Sequence, residues 1–514
     1  MITPPRGAAR IRDVVGRVSD PDDPLAAAAA VELVTAADVE QCLHPNGAAG
    51  GARLIASGIG ASPGVVTGEA VFSVEAALDR AEAGRPVILV RPTTGPADAS
   101  AFAVVVGVLT SGGGVASHAG VLARGRGLPA VCGASSLELG ADSFTAADGT
   151  VVRDGDLVSI DGTTGDVLVG AAEVEPVDLP DELDELLAWA DEIRAGSMGV
   201  WANADTAADA RRALAFGAEG IGLCRIEHLL VTLGLLPTLQ DMLLTESLDE
   251  REDAADLMLV ALREELVALL EVMDGHPVTV RLLDLPLDEL FDGVEVPQVL
   301  HEHDPMLGVR GVRLLLIRPD LLRVQVEALT AALAERLVVG GRPEVRVSIP
   351  FVSTASELVL VRGHLGSVLA EADALHIQVG AMVETPRAAL RCADLAAAAD
   401  FLSVGTNDLT QLTFGLSRDD AGPVLDDYLG HGLLAADPFD TIDADGVGAL
   451  VALAVERARD VDPAIEITVC GEHGGDPASI AFFRSLGIDH VSCSPFRVPV
   501  ARLAVARSVL GLTP

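Results

Sequence analysis

The chain has 514 residues, 76 of them Asp or Glu and 35 Lys or Arg, for a formal net charge of −41. A surface this acidic repels nucleic acid and anionic membranes, which speaks against both as partners. Half of the residues are hydrophobic and only 3% are aromatic, enough for roughly two to four domains with cores of Leu, Val, Ile and Ala.

All 35 basic residues are Arg. The six cysteines, Cys42, Cys132, Cys224, Cys392, Cys470 and Cys493, form no CxxC pair. In a chain of this length that pattern indicates reduced thiols and a cytoplasmic location. No apolar run reaches the ~20 residues that cross a bilayer. The Ala-rich run from Leu25 follows Asp20, Asp22 and Asp23 rather than a basic stretch, so it is a poor secretion signal.

In chain order, residues 1–53 are rich in Arg, Asp and Ala and too few for a domain. A short helix is predicted over 36–43, stopped at His44-Pro45-Asn46-Gly47. Residues 54–172 read as a compact β-rich α/β domain. Strands are predicted at 86–90, 103–109, 130–132 and 157–160, with a tight turn at 161–165.

Within that domain, Gly112, Gly113 and Gly114 follow a strand-like run and precede Ser117 and His118. Glycine lets backbone approach a ligand closely. Ser117 suits an N-cap, which places His118 in the first helical turn. Free N–H groups and the helix dipole there favour an anion, and imidazole is a competent nucleophile. A phosphoryl group on His118 would be held by those amides.

Residues 173–197 contain a helical period over 181–195 and read as a linker helix. Its alternative is the first helix of the region that follows. From 198 to 514, eight apolar runs recur, at 200–202, 220–224, 278–283, 345–351, 377–383, 401–404, 465–469 and 490–493. Helical patterns separate them, among others at 207–216, 257–273, 321–336, 385–398 and 448–458. Strand and helix alternating in this way predict a (βα)8 TIM barrel.

In such barrels chemistry collects where strands end. Arg225 and Glu227 follow the second run, Arg281 and Asp284 lie in and after the third, and Glu384 ends the fifth. Thr406, Asn407 and Asp408 end the sixth, Cys470 and Glu472 the seventh, and Ser494 the eighth. Glu384 and Asp408 are two carboxylates on neighbouring strand tips, a donor pair that suits Mg²⁺. Arg387, three residues from Glu384, is a competing ion-pair partner. Arg225, Arg281, Arg310 and Arg418 supply guanidinium forks for an anionic substrate. Cys470 either donates a proton at carbon or is simply a buried small residue.

The run Thr110, Gly113, Gly114, Ser117, His118, Ala123 and Arg124 resembles the phosphohistidine segment of the phosphoenolpyruvate-utilising enzymes. The barrel stretches 202–206, 217–225, 404–411, 417–421, 470–475 and 491–499 resemble the same family, in the branch of the pyruvate, phosphate dikinases. The likeness runs from about residue 40 to the end of the chain. It implies a swivelling β/α phosphohistidine domain followed by a TIM barrel, with His118 carrying phosphate to and from the barrel mouth and residues 173–197 as the hinge. It further implies that Arg225, Arg281 and Arg310 hold the phosphate of phosphoenolpyruvate with Asn407, and that Thr406 and Arg418 complete the substrate site. Glu384 and Asp408 would hold Mg²⁺, and Cys470 would protonate the enolate carbon to give pyruvate. Relatives commonly dimerise through the barrel, so the resemblance also implies a homodimer.

The pattern departs from the family in several places. Fewer than 60 residues precede the histidine domain and no Lys is available for a phosphate loop, so no ATP-grasp domain is expected here. A separate ATP-grasp subunit or a phosphate-acceptor protein would then be the partner; a non-catalytic phosphoenolpyruvate-binding regulator is the other alternative. Gly112 and Ala116 stand where relatives carry Arg and Thr. Ile226, Leu285, Asp288 and Asp304 also depart from the family residues, and an added carboxylate at 288 or 304 would repel an anionic substrate.

Overall fold

The computed structural model describes residues 7–18, 25–48, 51–95, 98, 101–114, 117–175, 177, 179–291, 302–369, 377–418 and 421–512. The chain divides into two compact units, one drawn from 1–195, 417–440 and 499–514, the other from 196–416 and 441–498.

In the first unit an eight-stranded sheet is formed by β1 (Arg53–Ser57), β2 (Ile59–Ser62), β3 (Val65–Val71), β4 (Val87–Arg91), β5 (Gly107–Thr110), β6 (Ala130–Cys132), β7 (Leu157–Asp161) and β8 (Asp166–Val169). Their order is β1-β8-β7-β3-β4-β5-β6-β2. Strands β3 to β6 run parallel, while the pairings toward β1 and β2 are antiparallel. Successive side chains leave opposite faces of a strand. Accordingly Ile88, Val90 and Leu109 join one core with Phe72, Phe144 and Ile160, while Val87, Leu89 and Val108 join another with Phe102. Ala119 and Ala123, one turn apart on the helix His118–Arg126, pack into the second core.

The run predicted as strand over 103–109 is shorter than expected. Residues Ala101–Ala103 form a 3₁₀ turn that buries Phe102, and pairing begins only at Gly107. Apolar content alone did not separate the buried turn from the strand.

The N-terminal residues form the helices Gly7–Val18, Ala27–Leu33 and Ala36–Leu43. The last is closed by a capping box: the Thr35 side chain and backbone face Asp38, with Thr35 Oγ1 donating to Asp38 Oδ2 at 2.7 Å. Arg507 Nη1 donates to the carbonyls of Glu32 at 2.7 Å and Val34 at 2.9 Å. Those carbonyls end the second helix, where a cation is favoured.

In the second unit β9 (Gly199–Asn203), β10 (Ile221–Arg225), β11 (Pro277–Arg281), β12 (Glu344–Ile349), β13 (Gln378–Val383), β14 (Phe401–Val404), β15 (Glu466–Val469) and β16 (His490–Cys493) close into a parallel barrel in sequence order. Each of the eight apolar runs contributes a strand to this barrel, although the runs at 278–283 and 345–351 continue past their strands, which end at Arg281 and Ile349. At its N-terminal end Trp201 stacks on His490 with centroids 4.2 Å apart. The Arg346 guanidinium lies over Trp201 at 5.0 Å and Phe401 at 5.6 Å. The floor is thus packed, and the open chemistry lies at the strands' C-terminal ends. One expected helix is interrupted. Instead of running over 385–398, it splits into Pro386–Leu390 and Cys392–Ala396 because Arg391 leaves helical geometry at φ −116°, ψ 26°. Among the described residues no helix is long and apolar enough to cross a membrane.

Candidate functional site

Two places carry chemistry, one in each unit. In the first, Thr110 ends β5, and its Oγ1 donates to Gly112 O at 2.7 Å. Gly113 has φ +82°, and a Cβ there would meet the Ser117 Cβ at 2.8 Å, so only glycine fits the turn. Ser117 Oγ donates to Gly114 O at 2.7 Å and accepts from Gly120 N at 3.4 Å, which makes it the N-cap. The helix His118–Arg126 therefore starts at His118, as the N-cap reading predicts. Gly127 ends it at φ +67°, in a left-handed cap. The His118 side chain and Ala116 lie outside the described residues.

In the second unit three arginines stand at the barrel mouth, and each is already held by carboxylates. Arg225 ends β10. Its backbone N donates to Asp205 Oδ1 at 2.7 Å and its Nη2 to Asp205 Oδ2 at 2.9 Å. Asp205 Oδ2 also lies 2.9 Å from His228 Nδ1. Burial opposes ionisation of Asp205, yet Arg225 and His228 beside it hold its carboxyl well below the usual range. Arg281 ends β11 and pairs with Glu227, with Asp284 at 3.7 Å. Arg310 donates from Nε and Nη2 to both oxygens of Asp284 at 2.8 and 2.7 Å, and from Nη1 to Asp408 Oδ1 at 2.8 Å. Although burial penalises both guanidinium charges, the surrounding carboxylates hold Arg281 and Arg310 firmly protonated. Such forked pairs fix a guanidinium in orientation as well as in charge.

Glu384 follows β13 and is 1% exposed. Its Oε1 accepts from Phe351 N at 2.6 Å. Burial, then the charges of Asp408 and Asp284, push its pKa well above the ordinary carboxylate range, against the pull of Arg281. A Cβ on Gly405 would meet Glu384 Oε2 at 2.4 Å, so glycine leaves the space that this carboxylate occupies. Arg387, the expected competitor, instead gives Nη1 to the Ser353 carbonyl. Asp408 sits in the first turn of the helix Thr406–Phe414.

Cys470 follows β15, is 3% exposed and packs with Leu223 and Met382. Burial, reinforced by Glu384, pushes its thiol up to about 12. At neutral pH it is therefore a protonated group, the form a proton donor needs. Thr406 Oγ1 and His473 Nδ1 are 2.7 Å apart, both groups fully buried. Asn407 Oδ1 accepts from Glu472 N at 3.1 Å, tying the β14 tip to the β15 tip.

The fold thus brings Arg225, Arg281, Glu384, Thr406, Asn407, Asp408 and Cys470 to strand ends of one barrel, and Arg310 joins them from the start of the helix Gly311–Ile317 through its pair with Asp408. Arg418 belongs to the stretch 417–440, which groups with the other unit. Ile226 is buried and Asp304 exposed; the Asp288 side chain lies outside the described residues. Sequence reasoning placed Glu227 and Asp284 at strand ends without giving them partners, and did not single out Asp205 or Phe351. The usable signal was chemical: an Arg buried in an acidic protein has to find a carboxylate. Among the described residues no group of three or more His, Cys, Asp or Glu side chains could hold a metal. Glu384 and Asp408 are an all-oxygen pair with mutual repulsion, which a hard cation sharing waters and substrate oxygens would relieve.

Residues 180–510 match the family described as PEP-utilising enzyme, PEP-binding domain, and residues 83–165 match the PEP-utilising enzyme, mobile domain. Over 509 residues the chain is 41% identical to a pyruvate, phosphate dikinase of Rhizobium meliloti (strain 1021), covering 94% of this chain and 56% of that protein. A chloroplastic pyruvate, phosphate dikinase of Mesembryanthemum crystallinum is 40% identical, with 93% and 54% covered. Pyruvate, phosphate dikinase 2 of Oryza sativa subsp. japonica is 39% identical, with 94% and 58% covered. The chain spans just over half the length of these curated relatives. A citrate lyase of Burkholderia xenovorans LB400 overlaps 47% of this chain and 63% of its own at 17% identity, with a TM-score of 0.28, too low for a structural argument.

Proposed function

The chain belongs to the phosphoenolpyruvate-utilising enzymes, and from that premise we propose that it is a Mg²⁺-dependent phosphotransferase moving a phosphoryl group between phosphoenolpyruvate and His118. The observation that carries this reading is the barrel mouth itself. Three guanidiniums are each fixed by a carboxylate, Arg310 also pairs with Asp408, and the protonated Cys470 thiol lies within the charge field of Glu384, Arg281 and Arg225.

In this reading Arg225, Arg281 and Arg310 bind the phosphate, each kept in place by Asp205, Glu227 or Asp284. Buried donors that are oriented beforehand stabilise developing charge without reorganising. Glu384 and Asp408 would hold Mg²⁺, which when bound neutralises charge on the phosphoryl group and on the departing enolate. The His118 imidazole nitrogen bonds to phosphorus as the phosphorus–enol oxygen bond breaks. The released enolate takes the Cys470 Sγ proton at its methylene carbon and becomes pyruvate, and the thiolate regains a proton from solvent. Transfer requires the residue 54–172 domain to present His118 at the barrel mouth, with residues 173–197 as hinge. A cytoplasmic location, a homodimer and a partner that takes the phosphate onward belong to the same proposal.

Incubation with phosphoenolpyruvate labelled at phosphorus, with Mg²⁺ at neutral pH, is expected to label His118 and release one pyruvate per label. A His118→Asn variant should stay unlabelled. Wild-type protein that remains unlabelled with metal present overturns the reading.

A further inference from the structure

Phe351 has the one positive φ of any non-glycine residue among those described, +57°. It lies just beyond β12 and is 1% exposed. A bulky residue in this conformation is crowded against its own backbone, and it persists only where its surroundings over-determine it.

Those surroundings are two of the groups assigned above. The Phe351 N–H donates to Glu384 Oε1 at 2.6 Å. Its ring lies against the Arg310 guanidinium, whose Cζ is 4.5 Å from the ring centroid, and against Arg313 at 4.7 Å. The ring's negative face attracts both cations. Arg310 has committed its donors to Asp284 and Asp408, so the ring is a separate contact to the same guanidinium. Gly311, at φ +52°, makes room: a Cβ there would meet the Phe351 Cβ at 2.7 Å. Were Phe351 to relax to extended backbone, its N–H and its ring would turn relative to each other. Contact with either Glu384 or Arg310 would then be lost.

We infer that Phe351 is a positioning residue for phosphoryl transfer, joining the cation that receives the phosphate to the carboxylate that receives the metal and setting their separation. This rests on the function proposed above for the same site.

The test replaces Phe351, site-specifically, with 4-fluoro-, 3,5-difluoro- and 3,4,5-trifluorophenylalanine. These analogues keep the shape of the ring and progressively weaken its hold on a cation. The readout is the phosphoenolpyruvate concentration that gives half-maximal pyruvate release in a single turnover at saturating Mg²⁺. It is expected to rise stepwise, by about 10-fold across the series, the scale of a desolvated cation–π contact. The maximal rate and the thermal midpoint should change little. Phe351→Leu should raise it at least as far. A merely structural role would move the midpoint and give no trend with fluorine number. A flat series in a protein whose wild type turns over overturns this inference alone. A wild type inert to phosphoenolpyruvate and Mg²⁺ overturns the functional reading and this inference with it.

Discussion

Cys470 is chemically the most constrained side chain at the barrel mouth. It packs against Leu223 and Met382 within reach of the charges of Glu384, Arg281 and Arg225, and its Sγ is 3.6 Å from the Val404 carbonyl. A thiol pushed up to about 12 is a poor nucleophile at neutral pH but a reliable holder of one proton. Under the proposed chemistry Cys470→Ala should still bind phosphoenolpyruvate and still label His118. Removal and return of a methyl proton of pyruvate in deuterated water, followed as deuterium uptake into the methyl group, should slow by about 10²-fold or more, the usual contribution of a positioned acid–base group. Equal exchange rates in variant and wild type would remove Cys470 from the mechanism. The same residue shows how far one sequence can be read. Its place after an apolar run marked it as a strand-end group, while its burial, which decides its protonation, depends on side chains 247 and 88 residues away in sequence.

At the scale of elements, the turn between β5 and the helix His118–Arg126 is the local structure most legible in the residues. Glycines, a Ser and a helical period within a dozen positions leave few alternatives, and the N-cap and the left-handed Gly113 are both present. Gly113→Ala should be costly twice over, since φ +82° disfavours any side chain and the new Cβ meets Ser117. The expected outcome is phosphorylation of His118 falling at least about 10-fold, with loss of about 1–3 kcal/mol of stability. Labelling with phosphoenolpyruvate and chemical denaturation of the variant check the two parts. The 103–109 run was harder to read. A buried 3₁₀ turn and a buried strand present the same apolar residues, and only the sheet pairing at Gly107 separates them. The 385–398 helix likewise looked continuous, because nothing in its composition marks Arg391 as the break.

For the whole molecule, composition makes the alkaline limit of stability unusually simple. The chain has no Lys and one Tyr, so between pH 9 and 12 its titration belongs largely to cysteine. Burial pushes the thiols of Cys392, Cys470 and Cys493 up to about 12. In an unfolded chain they ionise near ~8.5. Their folded values are raised, so the stability they contribute is fully present below the unfolded value and is lost as pH rises toward the folded one. The thermal midpoint should therefore hold up to about pH 8 and fall steadily above about pH 9. A Cys392→Ala, Cys493→Ala double variant should start lower and fall less steeply. Parallel slopes for variant and wild type would show that other groups set this limit.

The barrel, its eight strands and the polar residues at their ends were written in the one-dimensional pattern. An apolar run flanked by helical periodicity has few ways to be buried, and a closed parallel barrel satisfies all eight runs at once. What only the tertiary structure decided is which charges meet. Asp205 with Arg225, Glu227 with Arg281, Asp284 and Asp408 with Arg310, and the Phe351 ring with both Arg310 and Arg313 are 20 to 98 residues apart for the ion pairs and 38 to 41 for the ring. No local rule links such positions. They come together because closing the barrel draws strand tips from the length of the chain into one ring, where a buried guanidinium must be neutralised by whichever carboxylate that closure places beside it.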